Sequence, residues 1–330
     1  MAARRARRPS SSTAGPQATP ALPSPLGRIW PGWRMAGLAL VGAVVGSSVL
    51  GLVWPKPDQS NRLREEITAA TLAPKPRESV TVLVIGSDAD SLRSPTNGAA
   101  PPGPANADAV LLARVNPTGP VQVLQVPSEL ALSLPGGEGP VALAALYRQG
   151  GVALTADTLR ELLDLKDGAP QRYIVVPRQA LRELVDAVGG VEVSPPRRMN
   201  YRDQTLKFTI DLQSGLQRLT GSKVEQMVRF RDPWLGEGGR RVNQQVVLNG
   251  LRDQLAQPGQ LAQLPALAAS WSSQVDTNLT PQEFLSLLAA ALDNGQPLQV
   301  RSLPLKPPTK EFPDLRQLDL GASRPLWPQP

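Results

Sequence analysis

Two aspartates stand where a strand pattern meets a loop. Asp88 follows the apolar run Val80–Gly86, and Asp108 precedes the run Ala109–Val115. Residues 89–107 between them are rich in Pro, Gly, Ala and Ser and read as a loop. Strands adjacent in sequence often pair. An antiparallel pair would set the end of the first beside the start of the second, so the two carboxylates would meet at one sheet edge. Two carboxylates with an open face suit Mg²⁺, with substrate phosphate completing its oxygen ligands. Asp also favours strand ends and turns for purely local reasons, and the pattern leaves both explanations open.

A basic group lies further along, in Val228-Arg-Phe-Arg-Asp232 and then Gly239-Arg-Arg-Val-Asn-Gln-Gln245. If residues 228–231 are extended, Arg229 and Arg231 share a face; if they are helical, the two diverge by roughly 200°. Arg240 and Gln244 are four apart and share a helix face, as do Arg241 and Gln245. Several guanidiniums near a helix N-terminus suit a pyrophosphate. Gly236, Gly238 and Gly239 would let the intervening loop approach a ligand. A solvated basic face paired to Glu237 and Asp232 is the competing explanation.

Composition narrows the chemistry. The 330 residues contain no His and no Cys. No Ser-His-Asp or Cys-His nucleophile pair can form, nor a disulfide or a Cys/His zinc site. What remains is carboxylates, Arg, Lys, hydroxyls, amides and metals that accept oxygen. The net charge of +7 suggests nucleic acid at first. However, residues 1–34 hold six Arg and no acid, leaving 29 bases against 28 acids in the rest. The body is nearly neutral, and no nucleic-acid partner is expected.

The elements that must position these residues follow from the patterning. Residues 1–34 read as a disordered basic cytoplasmic tail. Residues 35–54 carry no charge and are flanked by Trp30, Trp33 and Trp54, as expected of a transmembrane helix; a cleaved signal peptide is the alternative. The Arg-rich side stays cytoplasmic by the positive-inside rule, which places a single-pass protein in the cytoplasmic membrane with its main domain outside. Residues 55–78 read as a linker, 79–304 as a globular domain, and 305–330, with six Pro, as a tail along the surface. Within the domain, apolar runs predict strands at Val80–Gly86, Ala109–Val115, Val121–Val126, Tyr173–Val176, Val191–Val193, Leu206–Leu212 and Leu298–Val300. Apolar residues recurring every three to four positions predict helices around Leu159–Leu163, Leu181–Val188, Thr220–Met227 and Arg240–Leu255. Thr280-Pro-Gln-Glu283 is a capping box that opens another, through Leu292. Strands interleaved with helices predict an α/β fold, an α-β-α sandwich on a central mixed sheet.

The order and spacing of these segments resemble the LytR-CpsA-Psr family of membrane-anchored envelope proteins. The resemblance rests on Val82–Asp88, Ala107–Pro117, Val121–Pro127, Tyr173–Val193, Ile210–Val224, Val228–Arg231, Gly239-Arg240 and Gln244-Gln245. It implies a phosphotransferase that moves a glycopolymer from a polyprenyl-pyrophosphate carrier onto peptidoglycan. It also implies an apolar groove for the prenyl chain. Asp88 and Asp108 would hold Mg²⁺ or act on the acceptor hydroxyl; Arg229, Arg231, Arg240 and Gln244 would bind the pyrophosphate. Phosphoryl transfer of this kind needs positioning and charge neutralisation rather than a protein nucleophile. The sequence departs from the family pattern at Asn106 and Ser128, each in place of an Arg, and at Glu129, Ala142–Ala144 and Asn243. The alternative function is therefore a catalytically weak or inactive binder of polyprenyl phosphate or envelope glycan.

Overall fold

The computed structural model describes residues 68–94, 96–97, 103–165, 168–204, 208–293, 296–311, 313–321 and 326–327. All of them belong to one compact unit, Glu65–Pro330. The basic tail, the apolar segment 35–54 and most of the linker lie outside the described residues. Among those described, no helix is long and apolar enough to cross a membrane.

Six strands form the central sheet: β1 (Val80–Ser87), β2 (Ala107–Val115), β3 (Gln122–Val126), β4 (Arg172–Val176), β5 (Asp276–Thr277) and β6 (Gln299–Ser302). Their spatial order is β5-β4-β1-β2-β3-β6. β1 runs antiparallel to β2 and parallel to β4, β2 is antiparallel to β3, and β6 is parallel to β3. The sheet is therefore mixed, as the interleaved pattern predicts. β1 buries side chains on both faces because alternate residues point opposite ways. Leu83 and Ile85 pack with Leu143, Leu146 and Leu159 of α1 (Leu143–Leu163). Val82 packs with Leu287 and Ala290 of α5 (Pro281–Asp293) on the other face. Helices thus cover both faces, as a sheet with two apolar faces requires.

Three more helices complete the frame that matters for the site: α2 (Arg178–Ala187), α3 (Gly221–Arg229) and α4 (Gly236–Leu255). They enclose a second core with Val185, Val224, Met227 and Val247 at its centre. The capping box predicted at α5 is present: Glu283 N donates to Thr280 Oγ1 at 3.2 Å, and Thr280 N donates to Glu283 Oε2 at 2.9 Å. α1 bends at Gly150-Gly151, where Gly151 takes φ +63°, a value that suits glycine.

The two ends of the domain differ from the sequence expectation. Residues Ala69–Leu72, within the linker, form a short helix whose apolar side chains join the second core. The Pro-rich tail folds back onto the domain instead of only skirting it. Leu305 bridges Leu318, and Leu130 bridges Arg316. Trp327 is 2 % exposed, with the Arg114 guanidinium 4.8 Å from its ring centre.

Candidate functional site

The antiparallel pairing of β1 and β2 brings the two aspartates to one edge. Gly86 faces Ala109 and Ser87 faces Ala107, with a bulge between that shifts the register by one residue. Asp88 follows directly, opposite Asn106. Its backbone N–H donates to Asn106 O at 3.1 Å. Asp88 Oδ1 accepts from Asn106 N at 2.7 Å, and Oδ2 accepts from Asn106 Nδ2 at 3.2 Å. Burial pushes the Asp88 carboxyl above the ordinary carboxylate range; the Asn106 bonds oppose this, and the Asp108 charge adds to it. The two carboxylates therefore feel each other, as the pairing predicts.

Arg240 ties this edge to α4. It is 4 % exposed, and its guanidinium reaches three groups. Nη1 donates to Asp108 Oδ1 at 3.2 Å, and Nη2 donates to Ser128 Oγ at 2.9 Å. Nε lies in an ion pair 2.6 Å from Glu237 Oε2. Gln244, one turn on, has its Oε1 engaged by Gln125 Nε2 at 2.9 Å, while Gln245 Nε2 donates to Gln125 Oε1 at 3.0 Å. Gln125, buried on β3, is thus a clamp for the glutamine pair that the sequence pattern did not reveal.

The Arg229/Arg231 pair separates. Residues 221–229 are helical and the helix ends at Phe230, so the extended geometry that would align the two is absent. Arg229 turns inward: Nη1 lies 3.1 Å from Glu225 Oε1, and its guanidinium sits 4.0 Å from the Phe208 ring centre. Arg231 is 67 % exposed and pairs with Glu237 Oε1 at 2.6 Å, linked to Arg240 only through that shared carboxylate. Arg241 is also engaged, in an ion pair with Glu129. Of the three glycines Gly239 serves packing, while Gly236 and Gly238 have room beside them. Gly239 lies inside the first turns of α4, where a Cβ would stand 2.9 Å from Asp232 Cβ.

Residues missed by the sequence reading complete the basic group. Glu225, 5 % exposed, gathers Arg182 Nη1 at 2.6 Å and Arg178 Nη1 at 3.7 Å as well as Arg229. Arg178 also pairs with Asp90. Three guanidiniums around one carboxylate leave a local excess of positive charge, which favours an anion. The available signal was the i,i+4 spacing of Arg178 and Arg182 on a helix that begins directly after β4.

This charged group rims a cavity of about 190 Å³. Its polar lining includes Asp108, Arg178, Glu225, Arg229 and Gln244; its apolar lining includes Val84, Leu111, Leu181, Val228, Val247, Leu248 and Leu251. A slot with apolar walls and a charged rim suits a ligand with an apolar chain and an anionic head. Asp88, Arg231 and Arg240 are not among the lining residues; Arg240 acts on it through Asp108.

A family model described as the LytR_cpsA_psr family matches residues 56–311. The chain belongs to that family. TagU of Enterococcus faecalis, a polyisoprenyl-teichoic acid–peptidoglycan teichoic acid transferase, is 26 % identical over 259 residues, covering 78 % of each chain. TagV of Bacillus subtilis is 24 % identical over 185 residues, 54 % of this chain and 46 % of that protein. A probable cell wall biosynthesis protein of Corynebacterium glutamicum, LcpB, is 30 % identical over 175 residues, 53 % of this chain and 40 % of that one. The match therefore spans about half or less of the latter two relatives. The crystal structure of Bacillus subtilis TagV superposes with a TM-score of 0.61 at 19 % identity, covering 76 % of this chain and 94 % of that one. A structure of TagT bound to LIIa-WTA gives 0.53 at 19 %, covering 76 % and 87 %. These likenesses establish the family fold. Two of the expected departures from Arg have visible consequences: Asn106 clasps Asp88, and Ser128 receives Arg240.

Proposed function

We propose that the chain transfers a phosphate-linked glycopolymer from a polyprenyl-pyrophosphate carrier to a hydroxyl of peptidoglycan. The observation that carries this is the joining of Asp108 and an arginine cluster in the lining of an apolar cavity, with Asp88 at the adjacent strand end. The names of the TagU and TagV relatives point to the same class of transfer. In the reaction, the acceptor oxygen attacks the phosphorus that bears the glycopolymer. A new P–O bond forms, the bond to the bridging pyrophosphate oxygen breaks, and the carrier leaves as polyprenyl phosphate. The hydroxyl proton passes to the Asp88–Asp108 carboxylate pair. Arg229 and Arg178 balance the anionic head, Arg240 holds Asp108 in place, and the walls Val247, Leu248 and Leu251 take the first units of the prenyl chain.

The donor set also fits Mg²⁺. Burial, and to a lesser degree the charge of Asp108, raise the proton affinity of Asp88, and a cation would relieve that repulsion. No group of three or more His, Cys, Asp or Glu is present among the described residues, so phosphate and water oxygens would supply the remaining ligands. Bound there, Mg²⁺ would neutralise charge on the pyrophosphate. We also propose that residues 35–54 anchor the chain in the cytoplasmic membrane, which would bring the cavity to the lipid carrier.

The test is to incubate the full chain with Mg²⁺, a polyprenyl-pyrophosphate-linked glycan and peptidoglycan fragments. Polyprenyl phosphate should be released and labelled glycan should appear on peptidoglycan. Release no greater than that of Asp108→Ala across several donor glycans would sink the proposal. One observation supports a second function, a binder without turnover: Ser128 offers a hydroxyl where the family resemblance places a guanidinium, and Arg241 is held by Glu129. That function predicts donor binding dependent on Arg229 with no release.

A further inference from the structure

A second, larger cavity of about 620 Å³ adjoins the first. Ser87 and Pro177 line both, so the two meet at the C-terminal ends of β1 and β4. Val175 lines one and Val176 the other, since successive strand residues point to opposite faces. The chemistry of the two differs. Where the first is lined by two guanidiniums and two carboxylates, the second has a single charged lining residue, Asp276. Its other polar side chains are hydroxyls: Ser87, Ser91, Tyr147, Ser272 and Thr277. Ser272 Oγ donates its proton to Ala269 O at 2.8 Å, and Thr277 Oγ1 donates to Tyr173 O at 2.5 Å. Thr277 Oγ1 also accepts from Leu279 N at 3.1 Å, and Ser87 Oγ from Ala89 N at 3.1 Å. Tyr147 adds an aromatic ring.

Such a lining, with one carboxylate and no cation, disfavours a phosphate. It suits a neutral molecule with many hydroxyl and amide donors and an apolar ring face, which is the chemistry of a saccharide. We infer that this cavity seats the acceptor glycan, with Asp276 and Tyr147 as its recognition residues. This rests on the transferase reading above and adds where the acceptor enters. The donor pyrophosphate and the acceptor hydroxyl would then approach each other beside Ser87, which lines both cavities and precedes Asp88. The charge of Asp276 also keeps the donor head out of the acceptor seat.

The experiment titrates the full chain with a soluble tetramer of β-1,4-linked N-acetylglucosamine, followed by calorimetry and by NMR. Saturable binding is expected. Asp276→Ala and the cavity-filling Ser272→Phe should each weaken it about tenfold or more, the loss of one charge-assisted hydrogen bond or of the space itself. Circular dichroism melting checks that each variant folds. In the transfer assay, Asp276→Ala should raise KM for the acceptor more than it lowers kcat. No binding of the tetramer by the wild-type chain would overturn the inference, as would binding that neither folded variant weakens. Tetramer binding lost in Asp276→Ala, without donor cleavage by any form, would keep the saccharide seat and remove the transferase reading. Donor cleavage without tetramer binding would do the reverse.

Discussion

Arg240 is a buried cation whose position depends on a fork. It reaches Asp108, Ser128 and Glu237 at once, and a planar guanidinium can do this where an ammonium cannot. Arg240→Lys should therefore fold but leave Asp108 poorly held. Donor binding by equilibrium titration should weaken by about tenfold; unchanged affinity would show that Arg240 is only structural. Asp88 carries the opposite tension. Burial raises its proton affinity, so its charge is costly in the folded state at neutral pH. Asp88→Asn should lose transfer by about a hundredfold or more while melting at or above the wild-type temperature. A variant that melts well below wild type would mean that Asp88 serves the fold and not the reaction.

At the scale of elements, α4 places Arg240 and Gln244 because its first turns pack tightly on the preceding loop. Asp232 Oδ1 accepts from Trp234 N at 2.8 Å and from Leu235 N at 3.0 Å, fixing that loop. Gly239 then approaches so closely that a Cβ would meet Asp232 Cβ at 2.9 Å and Leu235 Cβ at 3.1 Å. Its neighbour Gly238 has nothing nearer such a Cβ than Arg241 Nη2 at 3.9 Å. The two should respond with opposite signs. Gly239→Ala should destabilise by about 1–3 kcal/mol through overpacking and reduce donor binding by shifting Arg240. Gly238→Ala should stabilise by roughly 0.5–1 kcal/mol, since alanine suits a helix interior better than glycine. Chemical denaturation of the pair checks both, and equal effects would refute the packing account.

At the scale of the whole molecule, acid should unfold the domain through particular carboxylates. Thr280 N–H, then the Arg172 hydrogen bond, hold Glu283 below its usual 4.5. Trp234 N–H, then Leu235 N–H and the Arg197 charge, hold Asp232 below 3.8. Each folded pKa is depressed, so each contribution is full above the unfolded value and is lost as pH falls through the folded one. Asp88 acts in the other direction, favouring the fold in acid. The melting temperature should fall as pH drops from about 5 to 3, the range bounded by unfolded carboxylates. Glu283→Gln should melt lower at neutral pH and show a shallower dependence. A slope identical to wild type would remove Glu283 from the account.

Local order and local chemistry were legible in the chain. The apolar run ending at Asp88 and the one following Asp108 specify two strands, and the sheet pairs them as expected. The capping box Thr280–Glu283 needs only three residues of separation to be recognised, and it forms. The absence of His and Cys limited the chemistry before any fold was known. What the chain concealed are the partnerships across long separations. Arg240 meets Asp108 across 132 residues and Ser128 across 112; Arg182 meets Glu225 across 43. Whether Arg229 aligns with Arg231 turned on where one helix ends, a boundary that packing decides. Hydrophobic periodicity and capping are set by neighbours within a turn, so sequence determines them. Ion pairs and cavities exist only where closed layers bring distant segments within a few ångströms, and the tertiary structure alone decides which charges meet.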